Sequence, residues 1–109
     1  MATTLIQNGA IAGAIGAILE GRPVTEDDPA NFATQANAAD AFGDAFLTAN
    51  AALTAPMADA DNAEIGQLCE AVCKGILSGR NLISATATDY ASLAAGAAAA
   101  AKATVAKLA

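Results

Sequence analysis

The chain has 109 residues, of which 55% are hydrophobic and 15% charged, and it has a net charge of −6 and no histidine. This composition excludes a weakly hydrophobic disordered chain, and two cysteines are too few for a disulfide scaffold. The excess of acidic residues argues against nucleic acid and anionic membranes as partners, and the length indicates one domain over residues 1–109.

The first predicted helix covers residues 4–20 and carries no charge before its last residue. Thr4 and Gln7 have the spacing of a capping box at its start. The apolar run at 9–19 is shorter than the roughly 20 residues that a membrane-spanning helix needs. No basic residue precedes Arg22, so we expect no cleaved secretory signal. These features predict a soluble protein, either cytoplasmic or held within an assembled particle.

This first helix has two contrasting apolar faces. At 100° per residue, three isoleucines fall on one side and three glycines nearly opposite. They are Ile11, Ile15 and Ile18, and Gly9, Gly13 and Gly16. Each glycine costs a helix about 0.8–1 kcal/mol relative to alanine, so the glycine face needs a packing reason, such as close approach of a neighbouring backbone. Because a helix that is apolar all round is buried all round, we expect these six residues to form a subunit interface; the alternative is a central helix in a compact monomer.

The second predicted helix covers residues 29–54. Asp28 and Pro29 are typical of a helix start, a capping carboxylate followed by proline in the first turn. Its apolar stripe consists of Phe42, Phe46, Ala49 and Leu53. Asp40 and Asp44 are predicted to be a solvated face rather than a cation site. The acidic loop before the helix lacks the ligand spacing of a calcium loop, so we expect no metal there.

The third predicted helix covers residues 61–78 and has the clearest amphipathic pattern. Its apolar face consists of Ile65, Leu68, Cys69, Val72, Cys73 and Ile76. The two cysteines have the spacing of half a zinc site or of an intermolecular bond, but the chain has no histidine and no other cysteine to complete such a site. We therefore expect both to be small buried apolar residues. Gly79 is expected to adopt the left-handed conformation that ends the helix.

The fourth predicted helix covers residues 82–108. Its inward positions are Ile83, Tyr90, Ala94, Ala97, Ala101, Val105 and Leu108. The Tyr90 hydroxyl is expected to reach water or a backbone carbonyl. Since no strand pattern competes, the sequence predicts an all-α domain with two long and two shorter helices, either a four-helix bundle or a pair of helical hairpins.

The charge is divided unevenly along the chain. Residues 1–73 carry ten acidic and one basic side chain, whereas residues 74–109 carry one acidic and four basic side chains. The basic residues Lys74 and Arg80 are placed to complement the end of the third helix. The division also allows the acidic part of one subunit to face the basic part of another.

These patterns favour a non-enzymatic function. Without histidine, no Ser–His or Cys–His pair exists, and no glycine loop is placed to bind phosphate. We predict a structural, self-assembling subunit, acting as a homo-oligomer or as a component of a larger particle or filament such as a phage virion or tail. We expect no catalytic residue, metal, cofactor or small-molecule substrate. The alternatives are a small helical protein exported by a specialised secretion system and a phasin-like coat of a hydrophobic granule.

Overall fold

The computed structural model describes residues 2–20, 29–80, 82 and 86–108. Within these ranges the chain forms four helices, α1 (Thr4–Leu19), α2 (Pro29–Ala51), α3 (Ile65–Leu77) and α4 (Ala87–Leu108), and a short 3₁₀ turn at Asp59–Asp61. The described residues contain no strand, which confirms the predicted all-α class. The Asp28 start signal, the acidic loop before it and Ile83 lie outside the described residues.

The four helices form a bundle of two antiparallel pairs. The segment after α2 touches both the start of α1, where the Asp59 N–H donates to the Ala2 carbonyl, and the end of α2, where Asn50 bonds to Met57. The start of α1 and the end of α2 therefore lie at the same end of the bundle. α1 packs between α2 and α3, and α4 packs between the same two helices at the opposite corner. The bundle measures 42 × 26 × 22 Å.

The core combines a few large side chains with many alanines. Phe42 and Phe46 of the predicted α2 stripe are fully buried, with ring centroids 6.2 Å apart. Nine of the twenty buried hydrophobic residues in the described ranges are alanine. Since burying a large apolar side chain contributes about 1.5–3 kcal/mol and an alanine far less, the few large residues carry most of the burial energy, and the alanines mainly allow close helix approach.

The start of α1 is capped by a distant residue. The Asp59 carboxylate accepts hydrogen bonds from the N–H groups of Leu5 at 3.0 Å and Ile6 at 3.2 Å. The predicted capping box at Thr4 and Gln7 is wrong, because no threonine side chain caps the helix and the Gln7 amide donates to α2 instead. The 3₁₀ turn thus satisfies the free amides of α1.

The second helix ends three residues before its predicted end. Asn50, which is buried, exchanges two hydrogen bonds with the backbone of Met57: its amide donates to the carbonyl at 3.1 Å, and its oxygen accepts from the N–H at 2.9 Å. Ala55 has a left-handed φ of 53°, which turns the chain away from the helix. These two hydrogen bonds close the loop after Ala51. They form in place of the backbone hydrogen bonds that would continue the helix.

The third helix begins at Ile65, four residues later than predicted. The Asp61 carboxylate accepts a hydrogen bond from the Ala58 N–H at 2.9 Å and closes the 3₁₀ turn. Asn62 then adopts an extended conformation, and its side-chain oxygen accepts from the Glu64 N–H at 2.8 Å. The predicted apolar face of α3 is confirmed as buried or half-buried, and Gly79, with φ of +80°, ends the helix as predicted.

The fourth helix begins at Ala87 rather than at 82. Thr86 and Asp89 form a capping box in which each side chain accepts from the other's backbone N–H, at 3.2 and 3.0 Å. The bond from Thr86 lowers the pKa of the Asp89 carboxyl. The Tyr90 hydroxyl donates to the Leu82 carbonyl at 2.6 Å, which confirms the predicted backbone contact.

The inward stripe predicted for α4 is confirmed over most of its length. Tyr90 is half-buried and the stripe is buried from Ala94 to Val105 at the predicted positions. The prediction that Leu108 faces inward is wrong, because this residue lies in the last turn of α4 and is 60% exposed. No described helix combines the length and apolarity needed to cross a membrane.

Candidate interaction surface

The glycine face of α1 packs against α3 of the same chain. A Cβ atom at Gly13 would lie 2.5 Å from the Glu70 carbonyl oxygen and 2.9 Å from the Cys73 Cβ, and one at Gly9 would overlap the Gly66 carbonyl. The close backbone approach predicted from the sequence therefore occurs within the chain. These glycines do not require a second subunit to explain them.

Three other residues of the predicted interface also have partners within the chain. Gly16 lies against the aliphatic part of Lys74, with 3.3 Å from an added Cβ to the Lys74 Cδ. Ile18 is buried in the core. Ile11 is half-buried and packs on Gly43 of α2, which has no room for a Cβ there. Five of the six residues thus match the alternative of a central helix, and their further contact with another subunit stays a prediction.

The sixth residue, Ile15, lies on the side of α1 that no other described helix covers. It is 39% exposed, and Leu5 is 46% exposed. We call this uncharged surface the α1 outer strip; it consists of Leu5, Asn8, Ala12, Ile15 and Leu19. Ala12 and Leu19 are half-buried and Asn8 is exposed. Of the six residues of the predicted interface, only Ile15 belongs to this strip.

Acidic side chains predominate around the α1 outer strip. Asp44 of α2 is exposed and accepts a hydrogen bond from the Gln7 amide at 3.1 Å. Glu20 follows the end of α1 and accepts from the Ser78 hydroxyl, and Glu70 is exposed on α3. Lys74 of α3 places a cation beside α1, with its aliphatic part against Gly16. The surroundings of the strip are therefore mainly negative.

A second uncharged surface lies on the outer side of α4. We call it the α4 outer strip; it consists of Ser92, Gly96, Ala99 and Ala103, which are all exposed. A Cβ at Gly96 would meet no atom within 4 Å, so contacts within the described chain do not explain this glycine. Lys102 and Lys107 lie near the carboxyl end of α4, where the Lys102 ammonium donates to the Thr54 carbonyl, and Asp89 lies near its amino end.

The two cysteine thiols lie in surroundings that make them unreactive. Cys69 and Cys73 are free and fully buried, as predicted. Burial raises the pKa of Cys69 to about 11, with a further contribution from the charge of Asp59. Burial and the neighbouring Cys69 raise the pKa of Cys73 to about 12. Both thiols therefore stay protonated at neutral pH and are poor nucleophiles.

The described residues also bring together no metal-binding cluster of three or more His, Cys, Asp or Glu side chains. Asp40 and Asp44 are exposed, as expected for a solvated face. The groove along α3 is an open surface lined by Gln67, Glu70, Ala71 and Lys74. Every buried polar side-chain atom in the described ranges has a hydrogen-bond partner, so none of these atoms indicates a ligand site.

Comparison of the chain with protein-family models, curated proteins and solved structures gave no match. The two outer strips are the features of the described chain that bear on its function. Ile15 was predicted from the sequence as an interface residue, whereas Leu5 and the α4 outer strip were not. The spacing of Ser92, Gly96, Ala99 and Ala103 was visible in the sequence, but its outward direction depends on which side of α4 the bundle buries.

Proposed function

We propose that the chain is a non-enzymatic structural subunit that assembles with other copies of itself, as a homo-oligomer or within a larger particle or filament such as a virion or tail. The observation that carries this proposal is the α1 outer strip. It exposes 39% of Ile15 and 46% of Leu5 on a helix without any charged residue. Exposed apolar surface of this kind is typical of interaction sites.

The energetics of the fold favour this use of the strip. The exposed large apolar side chains of the described residues are Leu5, Ile15 and Leu108, and the first two lie on α1. Burying a fully exposed side chain of this size contributes about 1.5–3 kcal/mol, so covering the exposed 39% of Ile15 or 46% of Leu5 contributes roughly 0.6–1.4 kcal/mol each. A partner on the α1 outer strip would bury two of them, Leu5 and Ile15, without having to neutralise a charge on α1.

The position of the second strip supports repeated assembly rather than a single pairing. α1 and α4 occupy opposite corners of the bundle, so their outer strips point in opposite directions. A subunit with two different contact surfaces can bind one copy on each side, which builds rings or filaments. The unreactive state of Cys69 and Cys73 favours a structural role over catalysis.

The proposal is tested by the mass of the purified protein at rising concentration, measured by light scattering and sedimentation, with electron microscopy of the concentrated sample. We expect species at multiples of the 10.6 kDa chain mass, and rings, tubes or filaments at high concentration. A 10.6 kDa species throughout, with no large partner recovered from cells, would refute the proposal.

A further inference from the structure

A cavity lies between the carboxyl-terminal half of α4 and the segment that follows α2. Its volume is about 300 Å³, which is at the lower end of the range of small-molecule sites. Going beyond the proposed function, we propose that this cavity binds a small zwitterion with an apolar side chain, of the size of a free aliphatic amino acid. We call it the α4 cavity; its lining residues are Ala55, Met57, Asp61, Lys102, Val105 and Ala106.

The inner wall of the α4 cavity is apolar and is held in place by the fold. Met57 and Val105 are buried, with 2% and 6% of their surface exposed. The Met57 backbone is fixed by its two hydrogen bonds with the buried Asn50. An apolar wall with a few placed polar groups is the usual composition of a small-molecule site, so this wall can receive an aliphatic side chain without rearrangement of the bundle.

Asp61 and Lys102 bring one negative and one positive charge to the same cavity. The backbone orients both groups: the Asp61 carboxylate accepts from the Ala58 N–H at 2.9 Å, and the Lys102 ammonium donates to the Thr54 carbonyl. A carboxylate accepts several hydrogen bonds and an ammonium group donates up to three. Each group can therefore keep its backbone contact and still bind a ligand.

These two opposite charges determine the class of ligand. A simple anion would be attracted by Lys102 and repelled by Asp61, and a simple cation the reverse. A zwitterion satisfies both, with its carboxylate towards Lys102 and its ammonium group towards Asp61. The aliphatic side chain of the same molecule then lies against Met57 and Val105, where its burial adds to the affinity.

The backbone conformation of Ala55 is a separate observation at the same cavity. Its φ of 53° is left-handed, a conformation that residues other than glycine adopt rarely and that is concentrated at ligand sites and switch regions. Glycine would make this turn without a steric cost. Alanine instead contributes a methyl group to the lining of the α4 cavity.

The test is a titration of L-leucine into the isotope-labelled full chain, followed by the amide signals in NMR spectra. We expect saturable shifts centred on lining residues such as Ala55, Asp61 and Ala106. The dissociation constant should be in the millimolar range, because the cavity is open to solvent. Isocaproate and isopentylamine, each of which lacks one of the two charges of leucine, should bind about tenfold more weakly.

Two variants each remove one charge from the α4 cavity. Asp61→Asn keeps an oxygen that can accept from the Ala58 N–H, and Lys102→Met keeps the aliphatic stem. We expect each variant to bind leucine about tenfold more weakly than the wild type. Asp61→Asn should then bind isocaproate as well as leucine, and Lys102→Met should do the same with isopentylamine. Asp40→Asn and Lys107→Met remove the same charges at exposed positions outside the cavity and should bind like the wild type.

The outcomes that overturn the site are distinct from a failure of the proposed function. Leucine that causes no saturable shift at the lining residues refutes the site, and so do equal affinities for leucine and both analogues. An equal loss of binding in the control variants also refutes it, because net charge would then explain the effect. Circular dichroism establishes that each variant is folded, and Lys102→Met alone decides if Asp61→Asn unfolds. The titration does not require assembly, so a monomeric protein leaves this test unchanged.

Discussion

Replacing Gly13 by alanine tests the close contact between α1 and α3. The new Cβ would lie 2.5 Å from the Glu70 carbonyl oxygen and 2.9 Å from the Cys73 Cβ, where ordinary contacts begin at 3.4 Å. The two backbones must therefore separate by roughly 1 Å, since neither atom belongs to a flexible side-chain end. The whole helix pair shares this displacement, so the contacts around Gly13 loosen together.

Two opposing terms set the expected magnitude. Alanine gains about 0.8–1 kcal/mol over glycine from helix propensity, whereas forcing an extra carbon into a tight interface costs about 1–3 kcal/mol. We expect Gly13→Ala to lower the free energy of unfolding by about 1–2 kcal/mol net, because the clash involves backbone and not a movable side chain. Gly75→Ala is the matched control: it lies in α3 with no atom within 4 Å of the new Cβ, so it should gain about 0.8–1 kcal/mol.

Both variants are measured by urea unfolding followed by far-UV circular dichroism, at a protein concentration where only monomer is present. The expected result is a lower midpoint for Gly13→Ala and a higher one for Gly75→Ala, with similar slopes. If Gly13→Ala is stabilised as much as Gly75→Ala, α3 does not approach α1 as closely as described, and the structural explanation of the glycine face is wrong.

Three further predictions concern other contacts of the fold. Asp59→Ala removes the cap from α1 and should cost about 0.5–2 kcal/mol, measured by thermal unfolding; an unchanged midpoint would show that the 3₁₀ turn does not support α1. Tyr90→Phe removes the hydrogen bond to the Leu82 carbonyl and should cost about 1 kcal/mol in urea unfolding, whereas equal stability would make that bond energetically neutral. Burial raises the pKa of Cys69 to about 11 and that of Cys73 to about 12. The free energy of unfolding is therefore unaffected by the thiols below their usual pKa of 9.0. As the pH rises from there towards 11–12, it should fall by about 1.4 kcal/mol per pH unit for each thiol. Urea unfolding across this range should show a shallower fall when both cysteines are replaced by alanine, and identical slopes would contradict the buried, protonated thiols.

The elements predicted well from the sequence are those specified by local signals. The α3 stripe repeats every three to four residues, and Gly79 follows it directly, so periodicity and the end signal agree within one short segment. The start of α4 was also specified locally, by Thr86 and Asp89, but the apolar residues before Thr86 continue the helical pattern and conceal the boundary. Periodicity gives the side of a helix that is buried better than it gives the residue at which the helix begins.

The features missed from the sequence depend on residues that are far apart in the chain. Asp59 caps α1 from 54 residues away, and no pattern around Leu5 indicates such a partner. The close approach to Gly13 was predicted, but the identity of α3 as its partner depends on how the helices are arranged around the bundle. The same glycine spacing is expected whether the close neighbour belongs to the same chain or to another subunit, so the spacing does not distinguish the two.

The glycines of the helices provide a physical criterion for separating these two kinds of neighbour. Every helical glycine costs about the same in propensity, but only some of the helical glycines have a close contact that offsets this cost. Gly9 and Gly13 pack closely against α3, and Gly43 packs closely against Ile11. At all three, an added Cβ would overlap atoms of the same chain. Gly75 and Gly96 meet nothing within 4 Å, so their cost is not offset inside the described chain. Close packing therefore explains the glycine face of α1, but it does not explain every helical glycine of the described chain.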